Sequence, residues 1–524
     1  METEENINVI VEGCCHGELD QIYASIDLVE KKQNLKVHLL ICCGDFQSLR
    51  NTGDFHALAV PKKYKQMQSF HKYYSGEKIA PVLTIFIGGN HEASNALQEL
   101  FYGGWVAPNI YYLGRAGSVK FGGLKIAGLS GIYKQRDYHL GHYEKPPYSP
   151  DSIRSVYHVR EMEVFKLAQI REEVDIFLSH DWPTNIAHHG NKQQLFRKKD
   201  FLQPEVENGS LGSPPGEYLL NQLKPKYWFA AHLHVKFAAL YPHLPGKDVT
   251  HFLSLDKCLP KRDFLQLLRI PRKDNRTDAP SLEFDPEWLA ITKKTHGLIS
   301  TLRSRVQMPS ETELVSEEEI KWAQDRAKEV ICKNQGNLMI PGNFEITVSP
   351  HSLDGSTREH GCAEDMVGNP QTDILLECLE LPHKVTVPCL KRERTTDSGL
   401  KYTLGLGSGL LSTNGAKPKE AANHNGGQKD QNMKKDGDNS TSEEESDDDA
   451  GGDIGFFIDR GNSTAFGDDT SDIKDPSEIQ IDEEESDEDA GGEVGFFIDR
   501  GNRSGSGGDV SGVKDPSEIN IDDV

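Results

Sequence analysis

One stretch of the chain, residues 82–92, constrains the fold more than any other. It reads VLTIFIGGNHE, a short β-branched and aromatic run followed by two glycines, an amide, an imidazole and a carboxylate. The apolar run is too short for a typical helix and is typical of a buried strand. The glycines allow the chain to turn sharply where the strand ends. We therefore expect Asn90 and His91 to lie at the C-terminal edge of a sheet, where open α/β folds bind their ligands.

Four further apolar runs end in polar residues of the same kinds. They cover residues 8–12, 37–43, 174–178 and 227–231, and a helical apolar spacing at 19–29 separates the first two. Strand–helix–strand order predicts an α/β fold with a partly parallel sheet and helical crossovers. The polar sets at the five ends are Cys14 with His16, Asp45, Asn90 with His91, His180, and His232 with His234.

These sets consist of residues that bind metal ions. Imidazole, carboxylate, amide oxygen and thiolate are all ligands, and a site rich in His and Cys favours iron, zinc or manganese over magnesium. A single His is more often structural, but five sets at five strand ends form a strong signal. The predicted ligands of Fe(II), Zn or Mn are Cys14, His16, Asp45, Asn90, His180, His232 and His234. Whether one ion or two are bound stays open, and so does the alternative that Cys14 is a buried cysteine without a metal.

The same motifs carry a resemblance to a known family. GCCHG at 13–17, CGDFQ at 43–47, GGNHE at 88–92, SHDWP at 179–183 and AHLH at 231–234 resemble the calcineurin-like metallophosphoesterases and, among them, the lariat debranching enzymes. Cys14 stands where most of the superfamily has Asp, and residues 44–47 lack the usual second acidic residue. The resemblance implies a β-sandwich flanked by helices. It also implies hydrolysis of the 2′-5′ phosphodiester bond at the branch point of excised intron lariats.

His91 has a separate predicted role. Phosphodiester hydrolysis requires a proton for the leaving oxygen, in addition to an activated water and charge neutralisation at the phosphoryl group. His91 follows a predicted ligand but is not clearly a ligand itself, which suits the general acid. The resemblance implies the same role.

Residues 130–160 form a long loop rich in tyrosine, histidine and basic residues. Aromatic rings stack on splayed bases, and Lys and Arg bind phosphates. Composition alone fits an ordinary polar surface loop equally well, whereas the resemblance identifies this stretch as a recognition loop for branched RNA. The predicted substrate-binding residues are Tyr133, Lys134, Arg136, Tyr138, His139, Tyr143, Tyr148, Arg154, Tyr157, His158 and Arg160. A second basic run, Arg197-Lys198-Lys199, follows the fourth predicted strand.

Three segments are expected along the chain. Residues 1–241 form the catalytic domain. Residues 242–350 are predicted to form an appended, mainly helical domain, because Asp285-Pro286 is typical of a helix start and Ser316 with Glu319 of a capping box. Residues 351–524 are predicted to be a disordered acidic tail.

The tail contains an internal repeat. EEESDDDAGGDIGFFIDRGN at 443–462 recurs as EEESDEDAGGEVGFFIDRGN at 483–502. Residues 441–524 hold 27 Asp and Glu against 5 Lys and Arg, so −22 of the net charge of −24 lies there. The charge disfavours collapse of the tail and does not argue against an anionic substrate for the rest. A solvated tail is one interpretation; the other is that the repeated GFFIDRG binds a protein partner.

Cysteine usage and hydropathy bear on the compartment. The 9 cysteines include two adjacent pairs, a poor framework for disulfides, so we expect a reducing compartment, the nucleus and possibly also the cytoplasm. We expect neither a secretory signal nor contact with a membrane. Two other functions stay open: a metallophosphatase acting on phosphoproteins or nucleotides, and a non-catalytic scaffold on the same fold.

Overall fold

The computed structural model describes residues 6–243, 246, 248–274, 276–310, 313–333, 337–352, 365–389, 391–392 and 402–403. The strands are β1 (Asn6–Glu12), β2 (Leu39–Cys42), β3 (Leu83–Phe86), β4 (Gly104–Ala107), β5 (Ile110–Tyr112), β6 (Ala116–Phe121), β7 (Leu124–Leu129), β8 (Ile176–Ser179), β9 (Tyr227–Ala230), β10 (Phe237–Pro242), β11 (Val249–Ser254), β12 (Leu265–Pro271), β13 (Leu282–Phe284), β14 (Lys391–Arg392) and β15 (Tyr402–Thr403). The α-helices are α1 (Leu19–Gln33), α2 (Phe70–Tyr74), α3 (Ser94–Glu99), α4 (Gln135–Tyr138), α5 (Ser152–Ser155), α6 (Glu161–Leu167), α7 (Lys192–Lys198), α8 (Gln203–Asn208), α9 (Pro214–Leu223), α10 (Pro286–Thr295), α11 (Glu317–Arg326) and α12 (Pro370–Cys378).

Two mixed sheets carry the fold. The first has the order β12-β1-β2-β3-β5-β4, and the second has the order β10-β11-β9-β8-β7-β6-β13. β1, β2, β3 and β5 run parallel, as do β7, β8, β9 and β11. Because parallel strands end at the same edge of a sheet, the residues that follow them are brought together.

The sheets pack face to face. Their shared core combines Ile41 and Ile85 of the first sheet with Ile126, Leu178 and Phe229 of the second. Helix α1 covers the outer face of the first sheet, and α6, α9 and α10 cover that of the second. Burial on both faces explains why the central strands read as continuous apolar runs. The predicted α/β sandwich flanked by helices is confirmed.

Residues 242–350, predicted to form an appended, mainly helical domain, contain strands as well as helices. β11 and β13 belong to the second sheet, and β12 pairs with β1 over seven residues of the first. The predicted helices do form: Asp285 accepts a hydrogen bond from the N–H of Glu287 at the start of α10, and Ser316 and Glu319 complete the capping box of α11. Alternation of apolar residues in 249–271 is the strand signal that the prediction of a mainly helical segment did not take into account.

Part of the predicted tail is also folded. Helix α12 begins after Asn369, whose side chain accepts from the N–H of Gln371. The Gln371 amide then accepts from the N–H of Trp105 at 2.8 Å and donates to its carbonyl at 2.9 Å. Both acidic repeats lie outside the described residues. Among the helices of the described part, none is both long and apolar enough to cross a bilayer.

Candidate metal centre

The predicted ligands meet at one edge of the sandwich, and both sheets contribute. Cys14 and His16 follow β1, Asp45 follows β2, Asn90 follows β3, His180 follows β8, and His232 and His234 follow β9. Four of these residues have left-handed backbone: His16 (φ 45°), Asp45 (φ 48°), His232 (φ 63°) and His234 (φ 47°). Side chains with a Cβ rarely adopt this region, and such residues cluster at active sites.

Asp45 lies at the centre of the donor atoms. Its Oδ2 is 3.7 Å from His16 Nε2, and its Oδ1 is 3.2 Å from His180 Nε2. The ligand atoms of Cys14, His16, Asp45 and His234 all lie within 4.8 Å of one another. Although burial raises the pKa of Asp45, the neighbouring imidazoles of His180, His91 and His16 hold it well below its usual range. The centre therefore presents an ionised carboxylate.

His180 shows that these donors fit a cation. Its Nδ1 donates to the carbonyl of Cys43 at 2.8 Å. Burial lowers the pKa of this imidazole, but Asp45 and the Cys43 carbonyl together raise it above its ordinary value, so a positive charge at Nε2 is favoured. In the neutral ring the lone pair lies on Nε2. That nitrogen lies 3.1 Å from Asn90 Oδ1 as well as close to Asp45 Oδ1. Three acceptors thus face one another, and a bound cation satisfies all three. A metal-binding imidazole usually donates its other ring N–H to a carbonyl or carboxylate, which fixes its orientation.

Cys14 is fully buried beside these groups. Its Sγ accepts from the N–H of His232 at 3.3 Å, and its position within the donor cluster fits a ligand. Burial and the charge of Asp45 raise the pKa of the thiol well above its ordinary value. An ion that binds this sulfur must therefore displace a proton, because the thiolate is the ligand.

His91 is partly exposed. Its side chain is 29% exposed, compared with 22% for His16, whereas that of His180 is fully buried. His232 and His234 are also partly exposed. Its backbone N–H donates to Asp45 Oδ1 at 2.8 Å, and its Nδ1 lies 3.5 Å from Asp45 Oδ2. The imidazole is thus anchored to the centre and still accessible from outside.

Comparison with known proteins identifies the family. Residues 7–236 match the calcineurin-like phosphoesterases, and residues 247–384 match the family described as lariat debranching enzyme, C-terminal domain. The chain is 52% identical to a lariat debranching enzyme of Xenopus laevis over 370 residues, 70% of this chain and 68% of that protein. The chain belongs to the lariat debranching enzyme family.

Further relatives agree. A human lariat debranching enzyme is 54% identical over 66% of this chain and 64% of its own length. One from Arabidopsis thaliana is 46% identical over 74% of this chain and 90% of its own length. The aligned part thus spans about two thirds of the vertebrate proteins and most of the plant protein. Membership of this family implies divalent metal binding and selects debranching among the three functions left open by the sequence.

Two residues that the sequence did not single out support the centre in this family member. The Glu92 carboxylate accepts from the backbone N–H groups of Phe46 at 2.7 Å, Gln47 at 2.8 Å and Gly89 at 2.9 Å. It therefore joins the turn after β2 to the turn after β3. The Gln47 amide lies 3.0 Å from His16 Nδ1. A buried acid directly after the strand-end turn is the signal that could have indicated Glu92.

Replacing Glu92 with alanine is expected to lower the free energy of unfolding by about 3 kcal/mol, because buried N–H donors lose their acceptor. It should also weaken metal binding, since Asp45 and Asn90 lie on the two turns that Glu92 joins. Denaturant unfolding measures the effect on stability, and metal titration measures the effect on metal affinity, in the wild type and in Glu92→Ala. The matched control is Glu77→Ala, at an exposed position. Equal stability and metal affinity for Glu92→Ala and Glu77→Ala would contradict this role.

The first residues of the recognition loop are fixed to the metal centre. Ser130 Oγ accepts from the N–H of Gly88 at 2.9 Å, and the N–H of Gly131 donates to the Gly88 carbonyl at 2.8 Å. The N–H of Tyr133 donates to Asp181 Oδ2 at 3.1 Å, next to His180. The loop therefore begins directly beside the residues that precede Asn90 and follow His180.

Three predicted RNA contacts lie inside the loop instead of on its surface. Arg160 is fully buried, and its guanidinium donates to Glu144 at 2.6 Å and to the carbonyls of Ser155 and His158. His158 is 3% exposed and pairs with Asp137 at 2.6 Å, and Tyr157 is also buried. Their burial corrects the prediction: these residues hold the loop together and do not present their polar atoms to RNA.

The other predicted contacts lie at or near the loop surface. They are the partly or fully exposed residues Tyr133, Lys134, Arg136, Tyr138, His139, Tyr143, Tyr148 and Arg154. The rings of Tyr133 and Tyr138 form an edge-on pair with centroids 5.5 Å apart. Tyr148 and His139 are held by Gln98 and Glu161, respectively. An aromatic pair near the metal centre is a suitable platform for an unstacked base.

Proposed function

We propose that this chain hydrolyses the 2′-5′ phosphodiester bond at the branch point of lariat RNA and releases linear RNA. One observation carries the proposal: the donor cluster around Asp45 lies next to the accessible imidazole of His91, at the root of an aromatic and basic loop. Family membership supplies the substrate class, and this geometry supplies the groups that the reaction requires.

The residues that would hold a divalent ion form two groups that share Asp45. Cys14, His16 and His234 form one group, and Asn90 and His180 form the other. His232 lies beside the second group, with its ring centroid 5.0 Å from that of His180. A divalent ion bound by such donors neutralises phosphoryl charge and lowers the pKa of a coordinated water towards about 7.

His91 supplies the proton for the leaving oxygen. Since Nδ1 lies nearest to Asp45, Nε2 is the atom available to the substrate. Burial lowers the pKa of the imidazole, and the charge of Asp45 offsets part of that effect by favouring the protonated ring. Water loses a proton to solvent and adds to phosphorus as hydroxide, the bond from phosphorus to the 2′ oxygen breaks, and His91 protonates that oxygen. The products are a 5′-phosphate and a free 2′-hydroxyl group.

The donor set supports Fe(II), Zn or Mn as the ion. Six imidazole, thiolate and amide donors accompany a single carboxylate, and the softer ligands among them disfavour magnesium. The two groups around Asp45 provide enough donors for two ions.

Cleavage of a branched RNA with one 2′-5′ bond tests the function. The protein is stripped of metal and then supplied with Fe(II), Zn or Mn, and a linear 3′-5′ RNA serves as the control substrate. We expect cleavage of the 2′-5′ bond in the branched RNA and no cleavage of the linear RNA, only after metal is restored. Hydrolysis of an aryl phosphodiester without cleavage of branched RNA would refute debranching and keep the metal centre.

Residence in the nucleus, where introns are excised, is part of the same proposal. Imaging of the tagged full chain tests it, and exclusion from the nucleus would contradict it. The GFFIDRG repeats are proposed to bind a protein partner. Loss of that partner after both Phe-Phe pairs are changed to alanine, in pull-downs from cell extract, is the expected result.

A further inference from the structure

The parallel strands of the second sheet place two surfaces on opposite sides of the metal ligands. β11, β9, β8 and β7 are neighbours in this order and end at the same edge. His232 and His180 follow the two middle strands. The recognition loop follows β7 on one side, and residues 255–264 follow β11 on the other. A substrate at the metal centre therefore lies between the recognition loop and residues 255–264.

Residues 255–264 are held directly against the metal centre. The N–H of Cys14 donates to the carbonyl of Asp256 at 3.3 Å, and the N–H of Cys258 donates to the carbonyl of Cys14 at 3.3 Å. The loop is closed by a bond from the N–H of Asp256 to the carbonyl of Asp263 at 3.1 Å. These bonds fix the backbone of Lys257 beside a predicted ligand.

Two basic side chains, those of Arg262 and Lys199, lie near the carboxylate of Asp256. Arg262 Nη1 lies 3.2 Å from Asp256 Oδ2, and the Arg262 side chain is 45% exposed. Lys199, at the end of α7, lies close enough to Asp256 for the charge of each to shift the pKa of the other. Lys257 pairs with Cys14 in an isolated β-bridge, and its backbone N–H donates to Asp256 Oδ1 at 2.8 Å. Lys199 and Lys257 are both partly exposed.

We propose that Lys199, Lys257 and Arg262, called here the basic rim, bind the phosphates of an RNA arm that leaves the branch point on the side opposite the recognition loop. The proposal rests on the proposed function. A branch-point nucleotide joins three RNA arms, so a substrate bound at the centre must extend in more than one direction. Arg197 and Lys198, both exposed, continue the basic surface away from the centre.

Electrostatics favours phosphate as the occupant. Burial and the charges of Arg262 and Lys257 lower the pKa of Lys199, and Asp256 only partly offsets them. The rim has three basic residues beside the single carboxylate of Asp256, so an anion that binds it reduces repulsion between the cations. Phosphate contacts of this kind contribute affinity and position the RNA, and they make binding depend on salt.

The test measures RNA binding to the full chain loaded with Mn in a His91→Ala background, so that RNA is not consumed. Fluorescence anisotropy gives Kd for a long-armed branched RNA and for a branched trinucleotide. We expect Lys199→Gln with Arg262→Gln to raise Kd for the long-armed RNA about tenfold and to lower the slope of log Kd against log salt by about 1.4. Kd for the trinucleotide should change by less than about twofold, because it has no extended arm to lose.

Two control variants test whether the effect depends on charge and on its position at the basic rim. Lys199→Arg with Arg262→Lys keeps both charges and should keep the salt dependence. Lys36→Gln removes an exposed, ion-paired charge at the opposite, amino end of β2 and should bind as the parent does. Parent-like Kd and slope in the Gln variant, or an equal loss in the charge-preserving variant, would overturn the proposal.

Failure of the proposed function can be distinguished from failure of the basic rim to bind RNA. That function is judged by cleavage of branched RNA by the protein with His91 intact. The rim is judged by binding alone, so a protein that failed to debranch would still show whether the rim binds RNA.

Discussion

Replacing His91 with alanine is expected to lower kcat on branched RNA about 1,000-fold, a typical loss for a general acid. Kd for the same RNA should stay within about threefold of the wild-type value, because phosphate and base contacts supply most of the affinity. The ligands around Asp45 are left in place, so metal content should not change. Single-turnover kinetics and anisotropy on the same preparations separate the two quantities.

The matched control is His188→Ala, at an exposed histidine outside the centre. It should cleave branched RNA at the wild-type rate. If His91→Ala were equally active, His91 would have no part in proton transfer. If it lost metal as well as activity, His91 would act as a ligand, and its assignment as the acid would have to be withdrawn.

Replacing Gly89 with alanine is expected to abolish activity on every substrate. A Cβ at this position would lie 2.2 Å from Asp45 Oδ1, 2.4 Å from Asp45 N and 2.8 Å from His180 Cε1. Neither neighbour is free to move, since His180 is fully buried and Asp45 holds the N–H of His91. The turn after β3 must therefore shift, which separates Asn90 from His180. We expect loss of metal binding together with at least a 1,000-fold loss of aryl phosphodiester hydrolysis, the order of magnitude for removing an organised catalytic group.

Gly297→Ala is the control, because no atom lies within 4 Å of a Cβ built there. That variant should bind metal and hydrolyse the aryl ester as the wild type does. Metal analysis and aryl ester kinetics decide the question together. Wild-type metal content in Gly89→Ala would show that the site tolerates the added carbon and that its packing is looser than the distances indicate.

The local sequence was sufficient to locate the strand ends. Each central strand is a short apolar run followed by a turn and a polar residue, and these features are encoded within a few residues. Parallel strands then bring their ends together without further information. For this reason Asp45, His180 and Asn90 could be assigned to one site before any distance was known.

Local sequence did not predict which residues of the recognition loop are buried. Arg160 and Arg136 are alike in sequence, yet Arg160 is fully buried against Glu144 and Arg136 is exposed. The difference depends on how the chain folds back over 16 residues, not on a periodic pattern. Composition therefore assigned both to RNA, and only the tertiary structure separated the scaffold from the surface.

By itself, the sequence determined the family and the α/β sandwich and predicted the ligand set, because these depend on motifs and on periodicities of a few residues. The tertiary structure decided how Glu92 joins two turns and that β12 completes the first sheet next to β1. It also placed Lys257 beside Cys14, although 243 positions separate them in the chain. Such relations arise from packing between distant segments, and no local pattern of residues encodes them.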